Sequence, residues 1–276
     1  MANAPKTTSP AKQEGGNSGN LFASLAIIIC LVIGYLVYQF VMGSPDNFID
    51  GDPANQPLPG NYYGMVYHAG AVVPVLLGLF LMVWVFAIER FIVIGKASGA
   101  GNVGNFVRKV QGLLRAQNID AAISECDKQK GSVANVIKAG LLKYKDVQAN
   151  PGLDAEKSVL AIQKEIEEAT TLEMPMLEKN LTVLATLVSI GTLTGLLGTV
   201  TGMIKAFSAL ATGGTPDSAK LANGISEALI NTATGIGTST IAIIFYNILT
   251  SKIDTLTYSI DEAGFSIVQT YAANHK

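Results

Sequence analysis

Polar side chains recur at helical spacing in the last long apolar segment of the chain. Four of them step by 4, 3 and 4 residues: Glu227, Asn231, Thr234 and Thr238. At about 3.6 residues per turn they share one face of a helix, which carries a carboxylate, an amide and two hydroxyls. Because hydrocarbon does not hydrate such groups, an ionisable side chain in a membrane span indicates a functional site. The stripe predicts a path for an ion through a bilayer.

The preceding apolar segment carries a face of small residues. Its glycines also step by 4, 3 and 4 residues: Gly191, Gly195, Gly198 and Gly202. Small residues on one face let transmembrane helices approach closely. We therefore interpret this face as a packing surface rather than a direct contact with an ion.

Thr199 and Thr232 lie in these two segments at comparable depth. Each is roughly 10 to 13 residues from a predicted turn at 212–222, or roughly 15 to 20 Å at about 1.5 Å per residue. Both are therefore predicted near the midplane of the bilayer. Glu227 lies roughly 7 to 8 Å from the same turn, which predicts a carboxylate in an outer vestibule. An interhelical hydrogen bond or a helix N-terminal charge is the alternative role for Glu227.

The composition indicates a membrane protein with a substantial aqueous part. Apolar residues make up 49% and charged residues 14% of the 276 residues, against about 25% charged in soluble domains. Four segments are long and apolar enough to cross about 30 Å of hydrocarbon as helices: 21–43, 69–94, 181–211 and 223–250. A cleaved signal peptide is the alternative for the first, but its apolar run is too long and no small-residue cleavage site follows it. The predicted fold is an all-α membrane protein with four transmembrane helices.

The distribution of Lys and Arg predicts the orientation. Residues 44–68 contain neither, whereas residues 90–180 contain thirteen. Since basic residues accumulate on the cytoplasmic side, both termini are predicted in the cytoplasm. The predicted aqueous segments are a disordered N-terminus at 1–20, periplasmic segments at 44–68 and 212–222, a cytoplasmic helical domain at 95–180 and a cytoplasmic C-terminal helix at 251–276.

The cytoplasmic part reads as helical hairpins. Apolar residues recur at helical spacing on either side of Gly131, and Asn150, Pro151 and Gly152 form a strong turn signal. From Asp154 a charged helical pattern runs directly into the third span, with Pro175 as a kink. Long helices are therefore predicted to extend from the membrane into the cytoplasm.

Several function classes are excluded. The chain has two histidines and no enzyme, nucleotide-binding or metal-binding motif, so we predict no catalytic residue, metal or cofactor, and no enzyme. The net charge of −2 and the absence of a basic run argue against nucleic-acid binding. Cys30 and Cys126 are predicted to be free thiols.

Four stretches carry a resemblance to a known family. They are LLRAQNIDAAISECDKQKGSVANVIKAGL at 113–141, ATLVSIGTLTGLLGTVTGMIKAF at 185–207, GISEALINTATGIGTSTIAIIFYNIL at 224–249, and Ile88-Glu89-Arg90 at the end of the second span. The chain resembles the MotA/TolQ/ExbB proton channel family, most closely its ExbB members. The resemblance implies a homopentamer in the bacterial inner membrane that encloses a dimer of ExbD-like single-span subunits. It also implies use of the proton motive force, through a TonB-like protein, for transport at the outer membrane.

The resemblance also implies residue roles. Thr199, Thr232 and Glu227 match positions that the family uses along its proton pathway, and Glu89 and Arg90 lie at a membrane boundary. Because the third and fourth spans place no Asp or Glu at the midplane depth of the two threonines, the titrating carboxylate is expected on the ExbD-like subunit. Asn231, Thr234 and Thr238 are expected to line the same pathway.

Two points stay open. A TolQ-like or other stator subunit, including a sodium-driven one, and a non-conducting scaffold are alternatives to the ExbB-like role. The ExbB members of the family have three spans, so the segment at 21–43 is an addition without a carried-over role. We expect it either to brace the complex against lipid or to dock a TonB-like helix.

Overall fold

The computed structural model describes residues 15–149, 154–211 and 218–275. Within these ranges it contains nine α-helices and no β-strand: α1 Gly15–Leu36, α2 Tyr62–His68, α3 Val73–Ser98, α4 Val103–Arg115, α5 Ile119–Gln129, α6 Gly131–Ala149, α7 Ala155–Glu178, α8 Leu181–Ala211 and α9 Ser218–Asn274. Four helical stretches are long and apolar enough to cross a membrane, and they contain α1, α3, α8 and α9. The predicted all-α membrane fold is confirmed.

The chain divides into two compact units. The first takes the described residues of Met1–Met82 and Gly191–Ile236. In it, α1 continues through a π-helical turn, Val37–Met42, and Gly34 on α1 lies against Gly78 on α3. Small residues at this crossing allow the two backbones to meet.

The segment between α1 and α2 is ordered by its own contacts. The Tyr38 ring stacks on the Tyr67 ring with centroids 4.7 Å apart, and its hydroxyl donates to the Tyr67 carbonyl oxygen at 3.0 Å. The Asn47 Nδ2 donates to the Val41 and Met42 carbonyl oxygens at 2.8 and 2.9 Å. Because these carbonyls lack partners within their helix, the amide closes its end. The predicted periplasmic loop therefore contains a short helix, α2, held against the end of the first span.

The second unit takes the described residues of Val83–Ile190 and Gly237–Lys276. It contains the predicted helical hairpins, with Asn102 and Asn118 as N-caps of α4 and α5. Each cap oxygen accepts a backbone N–H three residues later, at 3.1 Å. Its fully buried apolar side chains include Val110, Val136, Leu141, Ile162, Ile260 and Ile267.

The predicted continuous helix into the third span is wrong. The helix is interrupted between α7 and α8, where Asn180 has φ +63°. Pro175 lies inside α7 and not at the interruption between the two helices. Its carbonyl oxygen accepts from the Lys179 N–H at 3.0 Å. Asn is among the few residues that enter the left-handed region readily, so the break falls there.

Two other boundaries differ from the prediction. The helix α1 begins at Gly15, within the segment predicted as disordered, because the helix continues beyond the apolar run from which its start was predicted. The helix α9 begins at Ser218, inside the predicted 212–222 turn. Residues 1–14, 212–217 and the Asn150-Pro151-Gly152 turn lie outside the described residues.

The last helix is much longer than a membrane span. It has 57 residues, which gives about 85 Å at about 1.5 Å per residue, against about 30 Å of hydrocarbon. A helix of this length extends well beyond a bilayer, as the sequence predicts for the last span and the C-terminal helix.

Candidate functional site

The glycine face of α8 lies directly against α9. A methyl group added at Gly235 would come within 2.7 Å of the Gly191 carbonyl oxygen and of the Gly195 Cα. One added at Gly202 would come within 2.8 Å of the Ala228 backbone nitrogen. These are approaches between backbones, so the absence of side chains sets the spacing of the two helices.

This close approach brings Thr199 and Thr232 together. Their Oγ1 atoms lie 2.5 Å apart, and either can be the donor. Each hydroxyl also lies near the carbonyl oxygen one turn earlier on its own helix, Gly195 for Thr199 at 3.2 Å and Ala228 for Thr232 at 3.0 Å. The pair is partly buried. Two residues that the sequence placed at one depth thus form a direct contact across α8 and α9.

An open groove runs along α8 beside this pair. It has a volume of about 650 Å³, and Thr199 is one of its two hydroxyl residues. The other lining residues are Leu196, Val200, Met203, Ile204, Phe207 and Ser208. Leu196 and Phe207 are 56% and 60% exposed. A polar group at this depth therefore borders an apolar, uncovered surface.

Glu227 is paired with a residue that the sequence reasoning missed. Lys205 Nζ on α8 lies 2.6 Å from Glu227 Oε1 on α9, and the two side chains are 58% and 7% exposed. A buried carboxylate requires such a partner. Glu227 therefore takes the alternative role of an interhelical partner. The signal in the sequence is Lys205 itself, the one charged residue inside the predicted 181–211 span.

Two cavities adjoin the Glu227 side chain. One, of about 240 Å³, is lined by residues 56–60 together with Met65, His68, Asn223 and Ser226. The other, of about 490 Å³, is lined by Lys205, Lys220, His68 and neighbouring residues of α8 and α9. Polar and apolar side chains line both cavities beside this carboxylate, and the outer vestibule stays a prediction.

The other members of the polar stripe face inward. Asn231 is 0% and Thr238 is 1% exposed. The Asn231 Nδ2 donates to the Ala69 carbonyl oxygen at 2.8 Å, and the Thr234 hydroxyl donates to the Ile230 carbonyl oxygen at 2.8 Å. Asn231 and Thr238 therefore do not lie on an open face of this chain.

Glu89 and Arg90 form a buried contact at the end of α7. The Arg90 guanidinium, 3% exposed, pairs with the Glu89 carboxylate. It also donates to the Met176 and Leu177 carbonyl oxygens at 3.1 and 3.3 Å. These carbonyls lie in the last turn of α7, where a cation satisfies free acceptors and opposes the helix dipole.

No group of three or more His, Cys, Asp or Glu side chains in the described ranges is arranged to hold a metal ion. Both cysteines are free and buried, as predicted. Burial raises the pKa of the Cys126 thiol to about 12, so this thiol is neutral at physiological pH.

The sequence of this region matches a known family. Residues 128–262 match the MotA/TolQ/ExbB proton channel family. The chain belongs to this family. The matched residues of this chain include Thr199, Thr232 and Glu227, whereas α1 and α2 precede them.

Individual relatives carry both ExbB and TolQ names. The chain is 33% identical to the Tol-Pal system protein TolQ of Pseudomonas aeruginosa, over 45% of this chain and 54% of that protein. It is 34% identical to the putative biopolymer transport protein ExbB-like 3 of Synechocystis, over 31% and 42%. It is 29% identical to the putative ExbB homolog of Methanothermobacter thermautotrophicus, over 54% and 53%. This chain thus spans about half the length of the relatives that it matches.

Proposed function

We propose that this chain is the channel subunit of a proton-driven motor in the bacterial inner membrane. The observation that carries the proposal is the contact between the Thr199 and Thr232 hydroxyls at 2.5 Å, on two membrane-spanning helices of a proton channel family member. A hydroxyl both donates and accepts hydrogen bonds. The pair therefore suits a carboxylate in either of its protonation states.

The titrating group comes from another chain. A threonine hydroxyl does not ionise at neutral pH, and α8 contains no Asp or Glu. Glu227, the one acidic residue in the first half of α9, is paired with Lys205. An aspartate on an ExbD-like single-span subunit completes the site. The apolar groove beside Thr199 supports this assembly, because its uncovered side chains suit a partner helix.

In the complete complex, five copies of the chain surround a dimer of the single-span subunits. Residues 95–180 and both termini face the cytoplasm, in accord with the placement of Lys and Arg. Each proton that crosses 100 mV releases about 2.3 kcal/mol. Several protons per cycle supply enough energy to move one subunit against another and to energise transport at the outer membrane through a TonB-like protein.

A TolQ-like role is the second candidate. The relative that favours it is the Tol-Pal system protein TolQ, 33% identical over 45% of this chain. Co-purification separates the two, because an ExbB-like chain retains a TonB-like protein and a TolQ-like chain does not.

The proposal is tested by proton flux. The chain is purified together with a co-expressed single-span subunit, reconstituted in liposomes, and driven by a potassium diffusion potential while a pH-sensitive dye reports proton uptake. Thr232→Val keeps the shape of the side chain and removes the hydroxyl. We expect it to lower the flux about tenfold, which corresponds to about 1.4 kcal/mol in the barrier.

Thr255→Val is the matched control. Thr255 also lies on α9 and donates to the carbonyl oxygen one turn earlier, Ser251, at 2.8 Å, but its side chain is exposed. Its flux should equal that of the parent. Unchanged flux in Thr232→Val, or failure of every single-span subunit to co-purify, contradicts the proposal.

A further inference from the structure

The junction between α2 and α3 is held by two residues of α9. The Asn231 Nδ2 donates to the Ala69 carbonyl oxygen at 2.8 Å. The Glu227 carboxylate lies so close to Gly70 that a Cβ there would overlap its Oε1. Gly70 also has φ +89°, a conformation that other residues rarely adopt. Two consecutive junction residues therefore meet two α9 side chains one turn apart.

The Asn231 amide is fixed from two sides. It is 0% exposed, and it fills a notch that α8 leaves at Gly198, where an added methyl group would come within 2.7 Å of the Asn231 Cγ. Its Nδ2 binds the junction, while its Oδ1 accepts no hydrogen bond from the described residues. An amide confined in this way fixes the distance between α8, α9 and the junction.

Glu227 is fixed by charge. Its Oε1 accepts from Lys205 Nζ at 2.6 Å, and the carboxylate is 7% exposed. The pair joins α8 to α9 at the level of Gly70. Removal of either partner leaves the charge of the other unpaired, so the contact resists separation.

The junction in turn holds the additional first helix. Val66, Ala69 and Val73 form a buried apolar cluster, against which Tyr38, Met42, Leu77 and Ile230 pack. Tyr38 and Met42 belong to the end of the first span, and Ile230 belongs to α9. The contacts at Ala69 and Gly70 therefore fasten α1 and the segment that follows it to the last helix.

We infer that Glu227 and Asn231 are positioning residues that clasp the Ala69–Gly70 junction, and that neither carries protons. The clasp is the set Ala69, Gly70, Glu227 and Asn231. Because Asn231 adjoins Thr232, the clasp also sets where Thr232 meets Thr199. The statement about protons rests on the proposed function, whereas the fastening of the junction does not.

The first test measures access to the junction. Val66, 6% exposed, is replaced by Cys in a chain whose Cys30 and Cys126 are changed to Ala, and the purified complex in detergent is treated with a water-soluble maleimide. We expect Asn231→Ala and Glu227→Ala to raise the labelling rate about fivefold, the factor for loss of a contact worth about 1 kcal/mol. Asn135→Ala removes an exposed amide that donates to Glu173 at 3.0 Å, and it should leave the rate unchanged.

The second test separates positioning from proton transfer. Glu227→Gln keeps the length of the side chain and an oxygen for Lys205, but it cannot exchange a proton. We expect its labelling rate and its proton flux to stay within about twofold of the parent values, because the Lys205 ammonium still donates to the amide oxygen and, at 58% exposed, remains solvated. Glu227→Ala should lose both the protection and the flux.

Two results overturn the inference. Loss of flux in Glu227→Gln with Val66→Cys still protected assigns a proton to Glu227 and leaves the proposed function intact. Unchanged labelling in Asn231→Ala shows that no clasp exists. If Asn231→Ala does not assemble, Asn231→Leu, which has a similar volume and no donor, replaces it. The labelling test decides the clasp even in a preparation without flux, so failure of the proposed function is recognised separately.

Discussion

Gly198→Ala should destabilise the protein through a single overlap. The added methyl group would overlap the Asn231 Cβ and would lie 2.7 Å from its Cγ and 2.9 Å from its Nδ2. Asn231 is fully buried and hydrogen-bonded to Ala69, so it cannot move aside without losing that bond. Overpacking costs about 1–3 kcal/mol and the lost hydrogen bond about 1 kcal/mol, which gives about 2–4 kcal/mol in the free energy of unfolding.

A second substitution should relieve the overlap. In Gly198→Ala with Asn231→Gly, the Cβ, Cγ and Nδ2 atoms that the new methyl group would overlap are all absent. The double variant should therefore be more stable than the sum of the two single effects predicts, with a coupling free energy of about 1–3 kcal/mol. Each free energy is measured by titrating the purified protein in mixed micelles with SDS and following helix content by circular dichroism.

The matched control is Gly237→Ala on α9. An added Cβ at Gly237 meets nothing within 4 Å, so this variant should be neutral or more stable by up to about 1 kcal/mol. The reasoning is refuted if Gly198→Ala is as stable as Gly237→Ala, or if the effects of Gly198→Ala and Asn231→Gly simply add.

Four further outcomes are expected. Thr199→Val and Thr232→Val should each reduce the free energy of unfolding, and an SDS titration of the double variant should give a coupling of about 0.6–1.7 kcal/mol; a value of zero denies the contact. Arg90→Met should lower the free energy of unfolding by about 2–4 kcal/mol because it strands Glu89 and the α7 carbonyls, and Arg90→Lys should recover less than half; equal recovery argues against the forked contact. At pH 8, iodoacetamide should modify Cys126 about a thousandfold more slowly than a free thiol, because its raised pKa leaves that much less thiolate. Since the unfolded thiol ionises first, the Cys126 contribution to stability should fall as pH rises above 9.0 toward about 12, and denaturation scans against a Cys126→Ala variant measure it.

The transmembrane helices and the common depth of Thr199 and Thr232 were accessible from sequence for one reason. Apolar length and helical spacing are local properties, and a glycine face on α8 indicates where a neighbouring helix approaches most closely. The direct contact of the two equally deep threonines beside that face appears only in the structure. The same local information does not reveal which helix the face contacts.

The features that sequence reasoning missed depend on register between distant segments. Lys205 was visible as a charge in an apolar span, but its choice of Glu227 depends on how α8 slides along α9. The contact of Asn231 with Ala69 joins residues 162 positions apart. The helix is interrupted at Asn180, which adopts a positive φ. Sequence reasoning placed the kink at Pro175 instead, because proline is the stronger helix-breaking residue.

The Thr199–Thr232 contact has fewer hydroxyl hydrogens than possible hydrogen bonds. Three hydrogen bonds are drawn among the two hydroxyls and the carbonyls of Gly195 and Ala228, but the hydroxyls hold only two hydrogens. While the two hydroxyls are hydrogen-bonded to each other, only one of the two carbonyls therefore accepts a hydroxyl hydrogen, and which carbonyl it is reverses when both O–H bonds rotate. The reversal moves no carbon, nitrogen or oxygen atom. A hydrogen-bond acceptor that moves past the pair can thus accept from the threonine of either helix, and only the two hydroxyl hydrogens have to rotate.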